Sequence, residues 1–136
     1  MSRVLLAVAW LLAAPAQGTD SLLVAARRAA EQWMHHDFSA LVGTGAAVMG
    51  HLPGAEPSSA LRPTQAAELL RAFAEGTREI EVTVLVARTV DPDRAYVEAP
   101  RIYQPRDTDL RRSQALYFGF RRIGTGYRLL EIRALP

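Results

Sequence analysis

The stretch PTQAAELLRAFAEG, residues 63–76, decides the fold, because its apolar residues repeat with the period of one helix face. The residues at this spacing are Ala66, Leu69, Leu70 and Phe73. Pro63 suits the first helical turn, where the backbone N–H has no partner to lose, and Gly76 offers the left-handed residue that ends many helices. The sequence therefore predicts a short amphipathic helix, covered by a sheet formed from the strand-like segments that follow it.

The composition is that of a single-domain protein. With 136 residues, 49% of them hydrophobic, the chain is long enough for one core and too short for two. The net charge is only +2, and all 16 basic residues are arginines scattered along the chain, so no nucleic-acid-binding surface is indicated. The absence of cysteine excludes disulfides, thiolate catalysis and cysteine-ligated metals. We predict one domain with no cofactor and no nucleic-acid partner.

The N-terminus has the three parts of a secretory signal peptide. Residues 1–18 contain Arg3, then an apolar segment, then small residues. Cleavage after Ala16 or after Gly18 fits this pattern, and we prefer Gly18. The apolar segment is shorter than the roughly 20 residues that span a membrane, so an uncleaved anchor is the less favoured alternative. The sequence predicts a bacterial Sec-type signal and a secreted or periplasmic domain over residues 19–136, with no stable membrane span after cleavage.

Two helices are predicted before the first strand. The first has an apolar stripe, takes its N-cap from residues 19–21 and ends near His36. Its stripe consists of Leu22, Ala26, Ala29, Ala30 and Trp33. Residues 37–42 indicate a brief second helix that is entered through Asp37. We expect the second helix to pack back on Trp33 through Phe38.

A weak strand, a loop and one long strand surround the helix of residues 63–76. We predict the weak strand over residues 46–52 and a surface loop with two prolines over residues 53–62. Residues 78–90 alternate as one long strand, with Glu79 on its polar face. Its apolar face carries Ile80, Val82, Val84 and Val86.

The rest of the chain reads as further strands of an antiparallel meander. Residues 95–103 form a strand interrupted at Pro100, which cannot donate to a β-ladder. A polar loop follows over residues 104–112, and residues 113–123 and 127–135 then form a hairpin. The hairpin's apolar residues are Leu116, Phe118 and Phe120 in its first strand and Leu130, Ile132 and Ala134 in its second. The sequence therefore predicts an α+β fold.

Short motifs accompany this order of elements. Residues 37–41, DFSAL, fit a D-x-x-x-L pattern at the second helix. Residues 61–66, LRPTQA, and 69–73, LLRAF, mark the third helix, and residues 127–133, YRLLEIR, close on Glu-hydrophobic-Arg. The chain thereby resembles the nuclear transport factor 2-like (NTF2-like) superfamily, which includes ketosteroid isomerases and SnoaL-type polyketide cyclases. Within that superfamily it is similar to a branch of small exported bacterial domains of unknown function.

The resemblance implies a cone-shaped fold of the cystatin/NTF2-like type, with the N-terminal helices packed on the concave face of a curved antiparallel sheet. It also implies a concave pocket for a small apolar ligand, or an open sheet face through which a homodimer forms. It carries no catalytic residue over to this chain. The residues that we assign to the pocket are Trp33, Phe38, Leu70, Phe73, Tyr96 and Phe118.

The histidines come nearest to a metal site. His35, His36 and Asp37 are consecutive, and His51 lies downstream. Imidazole and carboxylate groups are good zinc ligands, but ligands on one helix need i, i+4 spacing to reach the same ion. A solvated helix end, where a protonated histidine interacts favourably with the helix dipole, explains these residues better. We predict no metal site.

Asp37, Glu98 and Glu131 are weak candidates for a catalytic carboxylate. A carboxylate that faces the pocket would serve as a general base. Glu98 can instead pair with a cross-strand arginine, and Glu131 alternates with apolar neighbours, which places it on the opposite face. Ordinary surface roles are therefore expected for these carboxylates.

Two functional hypotheses from different classes remain. We favour a non-enzymatic exported domain that binds a small apolar ligand or a protein partner, because no set of polar residues converges in the sequence. The alternative is a lyase, isomerase or hydrolase of the SnoaL or ketosteroid-isomerase type that uses one pocket carboxylate. An envelope scaffold is a third hypothesis, distinguished by a filled core without a cavity beside Phe73.

Overall fold

A computed structural model describes residues 17–136, so residues 1–16 of the predicted signal peptide lie outside the described residues. The helices are α1 (Gln17–Met34), α2 (Phe38–Val42) and α3 (Pro63–Ala74). The strands are β1 (Val48–His51), β2 (Ser58–Leu61), β3 (Thr77–Val82), β4 (Val86–Asp91), β5 (Arg94–Glu98), β6 (Arg101–Pro105), β7 (Arg112–Gln114), β8 (Leu116–Ile123) and β9 (Gly126–Ala134). In this part of the chain, no helix combines the length and apolarity needed to cross a membrane.

Helix α1 buries the predicted stripe. Leu22, Ala26, Ala29, Ala30 and Trp33 are all buried, which confirms the helical period read from the sequence. The predicted N-cap is wrong, because the helix begins at Gln17 and residues 19–21 lie within it. The Ser21 hydroxyl instead donates to the carbonyl of Thr125 at 2.9 Å, so a tertiary contact takes the place of a cap.

The end of α1 has a left-handed residue that is not glycine. His36 has φ of 53°. Its N–H donates to the carbonyl of Trp33 at 2.9 Å, and the N–H of Asp37 donates to that of Gln32 at 2.8 Å, the hydrogen-bond pair of a Schellman motif. Asp37 then caps α2 by accepting from the N–H of Ala40, which confirms the predicted start of that helix.

Helix α3 forms within residues 63–76, where the sequence predicts a short amphipathic helix. Pro63 occupies its first turn, and Gly76 follows its C-cap with φ of 78°. The buried residues of α3 are Ala66, Ala67, Leu70 and Ala74, while Leu69 and Phe73 are half-buried against the core. The predicted amphipathic helix is thus confirmed, and alanines widen its buried face.

The strands form two sheets rather than one meander. The larger sheet has the order β2-β1-β9-β8-β5-β4 and the smaller has the order β3-β6-β7. The pairing of β1 with β9 is parallel, so the larger sheet is mixed, which corrects the predicted antiparallel sheet. Strand β2 lies in the segment predicted to be a loop, residues 53–62, because its partner β1 supplies hydrogen bonds that no local signal reveals.

The two sheets are halves of one bent surface. Three of the four strands predicted after α3 are broken, at residues 83–85, 99–100 and 115, whereas the last forms β9 without a break. Hydrogen bonds continue through the breaks. The N–H of Thr83 donates to the carbonyl of Pro100 at 3.2 Å, and the N–H of Ala99 donates to the carbonyl of Leu116 at 2.9 Å. Pro100 lies at the bend, as its missing donor predicts.

A bulge in β3 reverses which side chains face inward. The register moves from Glu79 opposite Tyr103 to Glu81 opposite Ile102, so Ile80 is the extra residue. Glu79 is therefore buried, although the sequence alternation places it on the polar face. Val82 and Val84 pack on the core as predicted, whereas Ile80 does not join it.

The β8–β9 hairpin closes the core, also with a bulge. Leu116, Phe118 and Phe120 are buried as predicted. The register shifts between Gly119 and Phe120, so the buried residue of β9 that accompanies Ile132 and Ala134 is Leu129. The predicted inward position of Leu130 is corrected accordingly.

Candidate functional site

Glu79 and Arg101 are the two polar or charged residues that the described part of the chain buries. Their side chains are each 1% exposed. The β3–β6 register sets Val82 opposite Arg101 and Glu79 opposite Tyr103, so both charged side chains point from the smaller sheet toward α1. The bulge at Ile80 thus creates a buried ion pair between the smaller sheet and α1.

Three groups surround the Glu79 carboxylate. The Trp33 indole Nε1 donates to Glu79 Oε1 at 2.7 Å. Arg101 Nε lies 3.0 Å from the same oxygen, and His36 Nε2 lies 3.4 Å from Glu79 Oε2. A buried carboxylate needs such partners, because an unpaired buried charge is strongly unfavourable.

The Arg101 guanidinium lies among aromatic rings. Its Cζ is 3.9 Å from the ring centroid of Tyr103, 5.5 Å from that of Trp33 and 5.6 Å from that of Phe73. These distances are typical of cation–π interactions, which are stronger when the cation is shielded from water. Burial lowers the pKa of Arg101, and the nearby charge of Glu79 opposes that shift. The aromatic rings and the carboxylate together hold the buried cation in place.

His36 links this polar cluster to solvent. We call Trp33, His36, Glu79 and Arg101 the buried polar cluster. The His36 side chain is 30% exposed, whereas that of Glu79 is 1% exposed. Glu79 Oε2, His36 Nε2 and Arg101 Nη1 make no aligned hydrogen bond to another protein group. The cluster therefore has spare hydrogen-bonding capacity, and His36 lies on its exposed side.

Replacing His36 tests whether its left-handed backbone conformation lowers the stability of the fold. We expect His36→Gly to be more stable than His36→Ala by roughly 1 kcal/mol, because only glycine takes φ of 53° without a Cβ clash. Urea unfolding of both variants gives the difference. Equal stabilities would show that the backbone at His36 carries no strain.

Most residues assigned to the predicted pocket lie in the core. Trp33, Phe38, Leu70 and Phe118 are buried, and Phe73 is half-buried. Trp33 contacts the rings of Phe38, Phe73 and Phe118, with centroid distances of 5.1, 6.3 and 6.4 Å. The structure does not bring Tyr96 to them, because Tyr96 lies on the other face of its sheet, stacked on Tyr117.

Four depressions on the described part of the molecule have volumes between about 230 and 400 Å³. The smallest lies between α1, α2 and the β8–β9 hairpin, and the largest lies where α2 meets the start of α3. The other two lie beside residues 51–57 and beside residues 104–109. None of these four is lined by Trp33, Phe73 or Phe118. The rings of Phe73 and Phe118 instead pack against Trp33 in the place of the predicted pocket.

The three candidate carboxylates are separated from one another. Asp37 is an exposed helix cap. Glu98 is half-buried beside the Tyr117 hydroxyl, at 3.4 Å. Glu131 lies 2.8 Å from Arg133 of its own strand. None of them belongs to the buried polar cluster, and the buried carboxylate, Glu79, is one that the sequence placed on the polar face.

The histidines also have separate surroundings. His35 pairs with Glu31 one helical turn away at 2.9 Å, while His36 faces Glu79. His51 lies in β1, where it alternates with buried residues. Among residues 17–136, no three histidine, aspartate or glutamate side chains converge on a point that would hold a metal ion.

The larger sheet presents a second surface, away from the helices, which we call the outer face. Its residues alternate with the buried ones along each strand. The central part consists of Val86, Glu98, Tyr117, Arg133 and His51 in one cross-strand row, and of Arg88, Tyr96, Gly119, Glu131 and Met49 in the next. Both rows mix aromatic, apolar and oppositely charged side chains.

Tyr96 and Tyr117 form the aromatic centre of the outer face. Their rings stack with centroids 5.5 Å apart, and the Arg88 guanidinium lies 5.7 Å from the Tyr96 ring. Partial burial, followed by the neighbouring charges of Tyr117 and Glu98, raises the pKa of Tyr96 above its usual 10.0. The pKa of Tyr96 is higher in the folded state than in the unfolded state. The folded protein therefore loses stability as the pH rises from 10.0 through the raised pKa of Tyr96.

Alkaline titration of Tyr96 provides a local test of this arrangement. We expect Tyr117→Phe to bring the pKa of Tyr96 closer to 10.0, because it removes one neighbouring charge and a hydrogen bond. Phenolate absorbance, with Tyr96→Phe subtracted to isolate the residue, gives the value. Tyr127→Phe is the control, since Tyr127 packs against Phe120 and should leave the pKa of Tyr96 unchanged.

Comparisons with known proteins identify the fold. No protein-family model matches the sequence, and no curated protein matches it significantly. Among solved structures, a ketosteroid isomerase-like protein from Erwinia carotovora atroseptica superposes with a TM-score of 0.68 at 15% identity, covering 85% of this chain and 92% of that one. An NTF2-like protein with a cystatin-like fold from Novosphingobium aromaticivorans gives a TM-score of 0.61 at 19% identity, covering 98% and 88%.

A third neighbour, from Streptomyces avermitilis, belongs to the NTF2-like family and is provisionally named a dehydratase. It gives a TM-score of 0.66 at 17% identity and covers 90% of this chain and 98% of that one. Helices packed on a bent, open sheet define the class of protein, an α+β domain. Within that class, this chain has the fold of the NTF2-like superfamily, as its sequence resemblance predicted.

Proposed function

We propose that this protein is an exported, non-enzymatic binding domain that recognises a protein partner through the outer face of its larger sheet. The partner we favour is a second copy of the same chain. Three observations support the proposal: the filled interior, the aromatic centre of the outer face, and the signal-peptide pattern of residues 1–18.

The filled interior, which an envelope scaffold would share, carries the choice of an outer binding surface over an interior pocket. In a cone whose centre is open, a small apolar ligand would contact the aromatic residues between helix and sheet. Here Trp33 contacts both Phe38 and Phe118 in that place, and the three side chains are 0%, 1% and 0% exposed. Binding at the outside of the fold is therefore favoured over binding in its centre.

The outer face has the character of a protein-binding surface. Tyrosine and arginine are enriched where proteins bind one another, and Tyr96, Tyr117 and Arg88 are adjacent there. Glu98 and Arg133 lie on either side of Tyr117 in its row, so a two-fold axis that crosses the row at Tyr117 would bring opposite charges together. An interface of standard size needs about 800 Å² on each partner, which one face of a six-stranded sheet can supply.

Light scattering coupled to size exclusion tests the proposal. We expect a dimer for the wild type and a monomer for Tyr96→Arg, which places a third charge beside Arg88 and Arg94. Ile102→Arg, on the smaller sheet, is the matched control and should remain a dimer. A wild-type monomer at all concentrations would overturn the dimer.

A second candidate function rests on His36 and Glu79. A histidine held in a left-handed conformation, 3.4 Å from a buried carboxylate, is an arrangement that acid–base enzymes use. A lyase or isomerase of the SnoaL or ketosteroid-isomerase type would then take Glu79 as its base. The Glu79 side chain is 1% exposed, so a substrate would have to enter past His36.

Deuterium exchange tests this second candidate. An enolising activity would incorporate deuterium from D2O into small cyclic and aryl ketones. Proton NMR measures this incorporation as the loss of the signal from the exchanged protons. Activity in the wild type and in Glu81→Gln, with loss in Glu79→Gln, would favour the enzyme. Exchange at the buffer rate in all three proteins would reject that activity.

A further inference from the structure

The depression between α1, α2 and the β8–β9 hairpin has a cationic rim. We call it the hairpin depression. Its volume is about 230 Å³, with exposed Arg28 on its α1 side and exposed Arg128 on its β9 side. Among the described residues, no aspartate or glutamate lines it. Trp33, Phe73 and Phe118 do not line it either, so it is separate from the filled centre of the fold.

The floor of the hairpin depression is apolar. Leu41 and Val42 of α2 line it together with Phe120 and Leu129 of the hairpin, and all four are buried. The half-buried Tyr127 also lines it, with its ring edge-on to Phe120 at a centroid distance of 6.4 Å. Sites for small molecules combine such an apolar surface with a few polar groups that orient the ligand. The hairpin depression has both parts.

Arg128 reaches the hairpin depression at an open edge of β9. Strand β1 pairs with β9 from Glu131 onward, so β1 does not cover the edge of β9 at Arg128. The Arg128 guanidinium lies beside Gly45, where an added Cβ would come within 3.2 Å of the guanidinium carbon. Gly45 thus leaves the space that the guanidinium occupies beside the depression.

The two arginines of the rim have no acidic partner within residues 21–136. None of the ion pairs in this part of the chain includes Arg28 or Arg128. Glu31 lies one turn after Arg28 on α1, but it pairs with His35 at 2.9 Å. Arg121 lies directly opposite Arg128 and adds a third positive charge nearby. A bound anion would therefore be attracted by these charges without competition from a paired protein carboxylate.

We propose that the hairpin depression binds a small organic acid, whose carboxylate lies at Arg28 and Arg128 while its apolar body covers Phe120 and Leu129. A guanidinium presents a planar fork of donors that matches the two oxygens of a carboxylate. The apolar floor favours an organic acid over an inorganic anion, because phosphate would leave that floor in water. The volume suits an aromatic or short aliphatic acid, since pockets for drug-sized ligands measure roughly 300–1,000 Å³.

Titration of the full chain, followed by proton–nitrogen correlation NMR, tests the proposal. The probes are benzoate and hexanoate, with benzamide and hexanamide as uncharged counterparts of the same shape. We expect both acids to bind with a Kd below about 10 mM, the value that ordinary ligand efficiency gives molecules of this size. The uncharged counterparts should bind about tenfold more weakly, because they lack the charge that the two arginines attract.

The same spectra locate the bound acid. The backbone N–H signals of Gly43 and Gly45, beside the depression, should shift on binding. Those of Tyr96 and Tyr117 should not shift, since they lie on the outer face, away from the helices. The site is therefore independent of the proposed dimer, and the failure of either proposal leaves the other standing.

Arg28→Gln combined with Arg128→Gln should weaken the binding of both acids by about tenfold, since each exposed arginine–carboxylate pair contributes up to about fivefold. Arg27→Gln combined with Arg111→Gln is the matched control, with the same loss of charge at exposed positions that do not line the depression. It should bind the acids within about twofold of the wild type. The spectrum of each variant also shows whether the variant is folded.

Equal losses of affinity in the two double variants, or equal binding of the acids and their uncharged counterparts, would overturn the proposal. The absence of binding by either acid at about 10 mM would do so as well. Inorganic phosphate that binds as tightly as benzoate and shifts the same signals would show a site for bare anions, and would likewise overturn the assignment to an organic acid.

Discussion

Glu79→Gln is expected to lower the free energy of unfolding by about 3–5 kcal/mol, the range measured when one partner of a buried ion pair is removed. Glutamine keeps the shape of the side chain and can still accept from the Trp33 indole. It leaves the charge of Arg101 without its counter-ion at 1% side-chain exposure, which is the source of the loss. Urea unfolding followed by far-UV circular dichroism measures it.

Glu81→Gln is the control for this change. Glu81 lies two residues away on the same strand and is exposed, with one hydrogen bond from the Thr83 hydroxyl at 3.1 Å. Its replacement should alter stability by no more than about 0.5 kcal/mol. If both substitutions lower the free energy of unfolding by an equally small amount, Glu79 is solvated and the buried polar cluster does not exist as described.

Trp33→Ala is expected to cost about 3–5 kcal/mol, because it removes a fully buried aromatic side chain from the centre of the core. The indole also donates the shortest hydrogen bond to Glu79, so its loss exposes the ion pair to a cavity. Thermal and urea unfolding both report the change.

Trp33→Phe separates these two contributions. Phenylalanine retains most of the packing but no donor, and the missing hydrogen bond should cost about 1–3 kcal/mol. A loss in Trp33→Phe near zero would mean that Glu79 does not depend on the indole. A loss equal to that of Trp33→Ala would mean that the hydrogen bond, rather than packing, dominates.

The helices could be predicted from the sequence because their signals are local. The spacing of apolar residues in α3, with Pro63 before it and Gly76 after it, is sufficient to set that helix. The stripe of α1 follows from the same period. The turn of the β8–β9 hairpin is similarly encoded by Gly124 and Gly126 beside the alternation of Leu116 and Phe118.

The sheet could be predicted only in part because its deviations are not local. Alternation assumes a straight strand, and the bulge at Ile80 breaks that assumption by one residue, which turns Glu79 inward. The bend at residues 83–85 then reverses the alternation again before Val86. Only the partner strands determine where these breaks fall.

The buried polar cluster was missed for the same reason. Arg101 follows Pro100 in a strand of mixed composition, and nothing in the sequence marks it as buried. His36 was weighed as a metal ligand, whereas its left-handed conformation aims it at Glu79. Glu79 alternates with Ile80 and Glu81 as an ordinary polar-face residue would, so the sequence alone does not mark it as buried.

The filled interior distinguishes this domain from a cone with an open pocket. The buried Glu79–Arg101 pair joins the smaller sheet to α1 through Trp33, so charge as well as packing holds these two elements together. For this reason we propose the outer face of the larger sheet as the recognition surface.

Acrylamide quenching of Trp33 fluorescence tests most directly whether the interior is closed. The sequence has two tryptophans, and Trp10 lies in the predicted signal peptide, so Trp10→Phe or cleavage of that peptide leaves Trp33 as the only tryptophan. We expect this indole, at 0% exposure, to be strongly shielded from the quencher in the folded protein and accessible after unfolding in urea. Quenching in the folded protein as efficient as that of free N-acetyltryptophanamide would contradict the closed interior and restore the pocket.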